Sequence, residues 1–446
     1  MGHLGPRLVV AGTASGVGKT TVATGLMVAL RRRGMAVANA KVGPDFIDPG
    51  YHALATGRPP RNLDAWICGE GAVGPLAGRA GAGADVLVVE GVMGLFDGAA
   101  IEGPPATTAS IAARLAAPVL LVVDAAAMSG SVAALVHGFA SYRPDVRVAG
   151  VVLNRVGSDS HEQQLRAALE PLGIPVVGAL RRDDALTWRD RHLGLVPVIE
   201  QAAEVRRSLD RLAARVAAGI DLDAVVRIAA SAPGLGVDEP ARPAVGGAAR
   251  VAVAAGAGFD FVYRDNLEAL EQAGAELLPF DPIEDGRLPA GSQALYAGGG
   301  FPEVFAPALA ANGALLDDLR SRRLPTWAEC GGMLWLCRSL DGHPMAGVVE
   351  AEARMTSTLT LGYRRAVSGV DHPLAPAGTE LRGHEFHYSA VEPTGAALEL
   401  TGRAGRAAGG FASPSLLASY LHLHLGGDPS PATRFVATAA AAVGAG

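Results

Sequence analysis

The stretch "VVAGTASGVGKTTVATGLMVAL" (9–30) constrains the fold more than any other. Its apolar start reads as a strand buried on both faces, as occurs in parallel sheets. A glycine-rich turn and then a helical pattern follow. Backbone N–H groups of such a turn, together with the helix start, form a cradle for anions. Gly16 and Gly18 shape the turn, and Lys19 reaches toward β- and γ-phosphates. Thr20 and Thr21 open the helix, with the Thr20 hydroxyl placed as a Mg²⁺ ligand. The strict spacing of a phosphate loop asks for glycine at position 13, where Thr13 stands, with Gly12 one residue earlier. The context of strand before and helix after carries the reading.

A chain of 446 residues exceeds one ordinary core, so two domains are expected. Apolar runs alternate with helical stretches at 7–13, 36–43, 85–92, 118–124, 147–156 and 174–180, and 203–230 reads as helical. This is the pattern of a parallel sheet covered on both faces. The Pro-, Gly- and Ala-rich stretch 231–250 breaks it. A second α/β series follows, with strands at 250–255, "ELLPF", 294–300, "LPTWAE", 384–389 and 415–424, and a last helix from about Pro431. The expected organisation is a nucleotide domain at 1–232, a linker at 233–249 and a second domain at 250–446.

Net charge is −6, and only 18% of residues are charged, with both signs mixed. That lacks the basic footprint of a nucleic-acid binder and suits a metal-bound nucleotide or small molecule. Mean hydropathy is slightly positive, yet no apolar run approaches the roughly 20 residues that span a bilayer. The N-terminus lacks signal-peptide organisation, so a cytoplasmic protein without membrane partners is expected. Cys68, Cys330 and Cys337 form neither metal spacing nor a disulfide framework. Cys68 and Cys337 are expected as buried thiols.

Acidic residues follow the first strands. "KVGPDFIDPGYH" (41–52) reads as a loop stiffened by Pro44 and Pro49. ATP beside a carboxylate crowds negative charge, which Lys41 offsets, while Asp45 and Asp48 hold Mg²⁺ or substrate. Glu90 ends a strand, where P-loop enzymes place a metal-binding or water-ordering acid, and Asp97 follows as the weaker candidate for that role or as a helix or loop cap. Asn154 ends another strand. Its amide either reads an adenine edge or serves a turn.

The second domain holds "PTWAECGGMLWLC" (325–337): strand, Cys330, two glycines, helix. This is a nucleophile elbow in outline. The helix start is expected to lower the thiol pKa, and the Gly331 N–H faces an oxyanion. "YAGGGFPE" (296–303) offers a second oxyanion N–H from Gly299 or Gly300. "SYLHLH" (419–424) puts His422 and His424 on one face of a late strand, and one of them activates the thiol. Glu329 precedes Cys330, and neighbours on a strand point to opposite faces, so it is not expected as a third acid.

"GTASGVGKT" resembles the loop of dethiobiotin-synthetase-like enzymes, which phosphorylate a substrate carboxylate; Ala14 stands where partition-type ATPases carry a signature lysine. The second half resembles class I glutamine amidotransferases of the cobyric-type branch, through "AECGGM", "GGGFPE", "GHEFHYS" and "SYLHLH". That class reads Gly-x-Cys-x-Gly and His-x-Glu; here Ala328 replaces the first glycine and His424 the glutamate. The resemblance implies a Cys330–His422 dyad, with His424 the second choice and with Glu385 and His387 shaping the glutamine pocket.

Together with "KVGPDFIDPGYH" and "VEGVMGLFDG", these motifs make the whole chain resemble the cobyrinic and hydrogenobyrinic acid a,c-diamide synthases. The resemblance implies a P-loop NTPase domain fused to an amidotransferase-like α/β domain. It implies a C–N ligase using ATP, Mg²⁺, glutamine and a corrinoid, with Asp45, Asp48 and Asp97 near substrate and metal. A homodimer stays open. Two alternatives also stay open: a related amidoligase (cobyric acid synthase, nickel-tetrapyrrole or cell-wall amidase), and a non-catalytic P-loop regulatory protein.

Overall fold

The computed structural model describes residues 2–98, 103, 106–182 and 202–442. The chain divides into two compact units, one reaching to Pro240 and the other starting at Ala241.

The first unit is built on a seven-stranded sheet in which every pairing is parallel. From one edge the order is Asn62–Leu63, Val37–Val42, Val86–Glu90, Arg7–Gly12, Val119–Asp124, Val148–Val156 and Val176–Arg181. Each long strand expected from the sequence is present, with ends shifted by a residue or two. The strand Arg7–Gly12 is central, and the helix Lys19–Arg32 leaves its carboxyl end with Val22 to Leu30 buried against the sheet. The apolar runs at 203–230 form two helices, Ala202–Gly219 and Leu222–Ala230.

Two local expectations change here. Residues 41–52 are not all loop, because Ile47–Thr56 is a helix. Pro49 sits in its first turn, where a missing N–H costs little, and Asp45 Oδ1 accepts from Ile47 N at 2.8 Å. The expected linker also contains a strand, Leu235–Val237, paired antiparallel with Gly2–Leu4. Its partner lies at the other end of the unit, beyond the reach of a local pattern.

The second unit has two sheets. The first runs Ala275–Phe280, Ala249–Ala254, Ala294–Ala297, Thr326–Glu329, Leu416–Ser419, Phe411–Ser413, parallel except for the last pair. The second centres on the long antiparallel pair Glu352–Ser368 and Glu380–Glu392. Alternation along Thr326–Glu329 divides the core: Trp327 stacks on Tyr296 at 4.1 Å on one face, while Ala328 joins the cluster of Trp335 and Leu334 on the other.

The late strand expected at 415–424 divides. Leu416–Ser419 stays parallel to Thr326–Glu329, whereas His422–Leu423 crosses to the second sheet and pairs with Gly383 and His384. Both pieces are apolar and alternating, so only the pairing partners separate them. The expected last helix is Ser430–Ala441, burying Ala432, Phe435, Val436 and Ala439. No helix among the described residues is long and apolar enough to cross a membrane.

Candidate active site

Each unit places chemical groups at the carboxyl ends of its parallel strands. In the first unit, Gly18 adopts φ 99°, a left-handed conformation suited to glycine, and the Asn154 amide packed against it leaves no room for a Cβ. Lys19 is buried, and its Nζ donates to the Ala14 carbonyl at 3.1 Å, folding over the loop. Gly16 lies exposed at the loop tip, and Thr21 stands in the first helical turn.

Asn154 is engaged by the loop itself. Its Nδ2 donates to Val17 O at 2.9 Å and its Oδ1 accepts from Arg155 N at 3.0 Å. With both ends engaged by backbone, the amide braces the phosphate loop from behind. Arg155, missed in the sequence, assists by donating to Gly16 O at 2.9 Å. Asp97 is exposed and caps its own turn, accepting from Gly94 N at 2.9 Å. That turn is tied to the loop by the Leu95 N to Gly12 O bond of 2.8 Å.

Behind the loop lies a dense ionic cluster. Lys41 Nζ donates to Asp48 Oδ2 and to Glu90 Oε1 at 2.8 Å, with Asp45 Oδ2 at 3.9 Å. Thr20 Oγ1 donates to Glu90 Oε1 at 2.6 Å and approaches Asp48 Oδ2 at 3.4 Å. Burial alone would discharge Lys41, but Asp48, Glu90 and Asp45 together raise its pKa. Burial also pushes Glu90 up; Lys41 and His52 reverse this and lower it. Asp48 is raised by burial and by Glu90 beside it. Lys19 is lowered by burial and by Lys41, against the pull of Glu90, Asp48 and Asp97.

His52 was not foreseen. Its Nε2 meets Glu90 Oε2 at 2.6 Å, fully buried. It stands one helical turn after Asp48, so a helical reading of 41–52 exposes it as a partner. Among the described residues no group of three or more His, Cys, Asp and Glu side chains forms a metal cage. The convergence of Thr20, Asp48 and Glu90 oxygens nevertheless fits Mg²⁺, which binds through one or two protein oxygens while keeping water and phosphate ligands.

In the second unit, Cys330 follows the last residue of Thr326–Glu329 and takes φ 47°, ψ −106°, a strained conformation for a residue with a Cβ. Its backbone N donates to Ser419 O at 2.7 Å, and Sγ lies 3.9 Å from its acceptor, the Phe386 carbonyl. The Gly299–Gly300 turn connects the site. A Cβ added at Gly299 would stand 2.5 Å from His422 Cε1, and one at Gly331 would stand 3.0 Å from Gly300 N. His422 and the residue after the nucleophile thus abut the same glycine turn.

The expected oxyanion donors separate here. Gly299 N donates to Phe261 O at 3.1 Å, which removes it. Gly300 and Gly331 are left as the candidates. The expected fall in thiol pKa is reversed: burial pushes Cys330 up to about 12, Glu303 adds to this, and the Gly331 N–H bond only partly offsets it. The helix Gly331–Leu336 is short, and loss of water outweighs its N-terminus. Burial and nearby His387 push His422 down to about 3. Burial thus favours the neutral form of both the thiol and the imidazole.

Around the pair, Glu385 holds Arg364 at 2.8 Å, and His387 stacks on Tyr420 at 3.5 Å. His424 sits elsewhere, its Nε2 3.8 Å from Asp265 Oδ2 and its ring against Tyr263. Glu329 lies closer to the histidine than strand alternation suggests: Oε2 is 3.9 Å from His422 Nδ1, within ion-pair reach. The strand ends at Glu329, so strand alternation does not govern its relation to Cys330. Cys68 and Cys337 are buried thiols, as expected.

A phosphate-binding loop in one unit and a cysteine elbow in the other define a class: nucleotide-dependent ligases that carry a glutaminase. Residues 8–196 match the CobQ/CobB/MinD/ParA nucleotide binding domain, and residues 250–430 match the CobB/CobQ-like glutamine amidotransferase domain. Hydrogenobyrinate a,c-diamide synthase of Streptomyces coelicolor is 50% identical, covering 97% of each chain. That of Thermobifida fusca is 47% identical over 97% of this chain and 96% of its own. Cobyrinate a,c-diamide synthase of Syntrophotalea carbinolica is 43% identical over 97% of this chain and 98% of its own. The chain belongs to the a,c-diamide synthase family.

Proposed function

We propose that this chain converts hydrogenobyrinic acid to its a,c-diamide in cobalamin biosynthesis, with glutamine as nitrogen donor and ATP as the activating co-substrate. The observation that carries the reading is that both sites lie on one chain matching such synthases almost end to end. Hydrogenobyrinic acid is preferred to cobyrinic acid because relatives named for it are 50% and 47% identical, against 43% for one named for the other.

In the glutaminase half, assigned to 250–446, Cys330 Sγ attacks the glutamine carboxamide carbon as its proton passes to His422. Gly300 and Gly331 N–H groups hold the oxyanion, worth about 2.7–4 kcal/mol per donor. The imidazolium returns the proton to the departing ammonia, and water later cleaves the thioester. Glu385 with Arg364 offers paired charges for the amino acid end of glutamine.

In the ATP half, assigned to 1–232, Lys19 and the loop N–H groups hold the phosphates, and the γ-phosphoryl group passes to an acetate carboxylate. Thr20, with Asp48 and Glu90, would hold Mg²⁺, which offsets phosphate charge when bound. Lys41 keeps those carboxylates in place; Asp45 and Asp97 line the approach for substrate. Ammonia displaces phosphate from the acyl phosphate, once at each of the a and c acetates. All substrates are small molecules, and we assign the activity to the cytoplasm, without nucleic acid or membrane.

The test offers hydrogenobyrinic and cobyrinic acids separately with ATP, Mg²⁺ and glutamine, and counts amides by mass. Two amides on hydrogenobyrinic acid are expected. Amidation of neither acid overturns the proposal, and faster turnover of cobyrinic acid overturns the choice of ring.

A further inference from the structure

The His422 ring is held edge by edge. One edge, Cε1 and Nε2, faces the Gly299 turn: a Cβ there would stand 2.5 Å from Cε1 and 3.3 Å from Nε2. One face stacks on His384, with centroids 4.9 Å apart and planes inclined by 22°. The remaining nitrogen, Nδ1, lies 3.9 Å from Glu329 Oε2.

Glu329 is itself fixed. Its Oε1 accepts from Leu423 N at 2.9 Å, and its Oε2 accepts from Tyr296 Oη at 3.1 Å. Leu423 is the residue after His422, so one carboxyl group holds the backbone of that segment and lies within ion-pair reach of its ring. Other acids are directed elsewhere: Asp265 faces His424 at 3.8 Å, and Glu385 faces Arg364 at 2.8 Å.

We propose that Glu329 is the positioning acid of His422, turning Nδ1 toward itself and the Nε2 edge toward the Gly299 turn and the thiol. This rests on His422 as the base for Cys330. It gives the dyad a third member, from the residue before the nucleophile rather than from beyond the histidine.

The proton balance is simple. The thiol proton goes to Nε2 and leaves with ammonia, while Nδ1 keeps its hydrogen pointed at Glu329. With the ring neutral, burial favours a protonated Glu329. With the ring charged, an opposite charge at this distance favours the carboxylate.

The experiment compares Glu329→Gln, Glu329→Asp, His422→Ala and the unaltered full chain, with glutamine and then with high free ammonia. Gln keeps an acceptor for Leu423 N but cannot carry charge. For Glu329→Gln, glutamine-dependent kcat is expected to fall about 10- to 100-fold, with KM for glutamine within about twofold and ammonia-dependent amidation unchanged. Glu329→Asp, with the charge retained one methylene short, is expected to fall between Gln and the unaltered chain.

Unchanged kcat in Glu329→Gln, with His422→Ala inactive toward glutamine, overturns the role of Glu329 and leaves the base intact. A rise in KM alone makes Glu329 a pocket residue and also overturns it. So does loss of activity with both nitrogen sources, or Asp performing no better than Gln. Glutamine use surviving in His422→Ala overturns the base itself, whatever Glu329→Gln does.

Discussion

The two units bury ionisable groups in opposite ways. Behind the phosphate loop, Lys41 and Glu90 are buried as an ion pair, with Asp48, its own pKa raised, against Lys41 and with His52 behind Glu90. Around Cys330 the same burial leaves groups neutral: the thiol rises to about 12, His422 falls to about 3, and Glu329 rises to about 8. The difference follows from the tasks. A site for ATP and a carboxylate needs fixed charge at all times, so opposite charges are stored together. The proposed glutaminase chemistry needs charge only while a proton moves, and burial holds the Cys330 thiol protonated at rest.

The comparison can be broken at its strongest points first. Lys19→Ala is expected to reduce amidation at least about 10³-fold with glutamine or ammonia alike, because acyl activation precedes both. Ammonia-dependent product at the normal rate would remove the phosphate-loop assignment. Cys330→Ser is expected to lose about 10³-fold with glutamine while ammonia-dependent amidation stays within about twofold. Mass analysis of the amides separates the two variants. Persistent glutamine use by Cys330→Ser excludes Cys330 as nucleophile.

Smaller effects sharpen the contrast in charge storage. Glu90→Gln leaves Lys41 and His52 without their shared carboxylate, and a stability loss of about 3–5 kcal/mol is expected. Chemical denaturation with a probe in the first unit reads it. A midpoint equal to that of the unaltered chain would show that the cluster is not stored charge.

Glu329 should behave in the reverse manner. Burial first, against donation from Leu423 N and Tyr296, holds it up to about 8. Its contribution to stability is therefore complete below the ordinary carboxyl range and is lost as pH rises through about 8. The slope reaches at most about 1.4 kcal/mol per pH unit in that window. In Glu329→Gln that component is absent, so the variant gains on the unaltered chain as pH rises from about 5 to about 8. Parallel pH profiles would show that Glu329 is not held protonated.

Much of this was legible in the chain. The strand, loop and helix at 9–30 announce themselves because their contacts are local: a buried parallel strand is an apolar run, and Gly18 is needed for backbone reasons. Cys330 was legible as an elbow for the same reason. His52 was hidden because Pro44 and Pro49 make 41–52 read as a loop, which conceals the one-turn spacing from Asp48. Gly299 and Gly300 look equivalent in sequence, and only the bond from Gly299 N to Phe261 O separates them. The Asn154 amide reads equally well as a ligand group or a brace until its partners are seen.

The sequence by itself determined two α/β units, a phosphate loop and a cysteine elbow, because periodicity and turn chemistry are written over a few adjacent residues. Tertiary structure alone decided where the second half of "SYLHLH" goes. The chain leaves one sheet after Ser419 and joins another at His422, bringing Nδ1 of that ring to the side chain of Glu329. Strand alternation argued against that contact. It failed because the strand stops at Glu329 and because burial and cross-sheet pairing involve residues far apart in the chain. The protonation of Cys330 was decided the same way: a helix end is visible in sequence, but the depth at which it is buried is not.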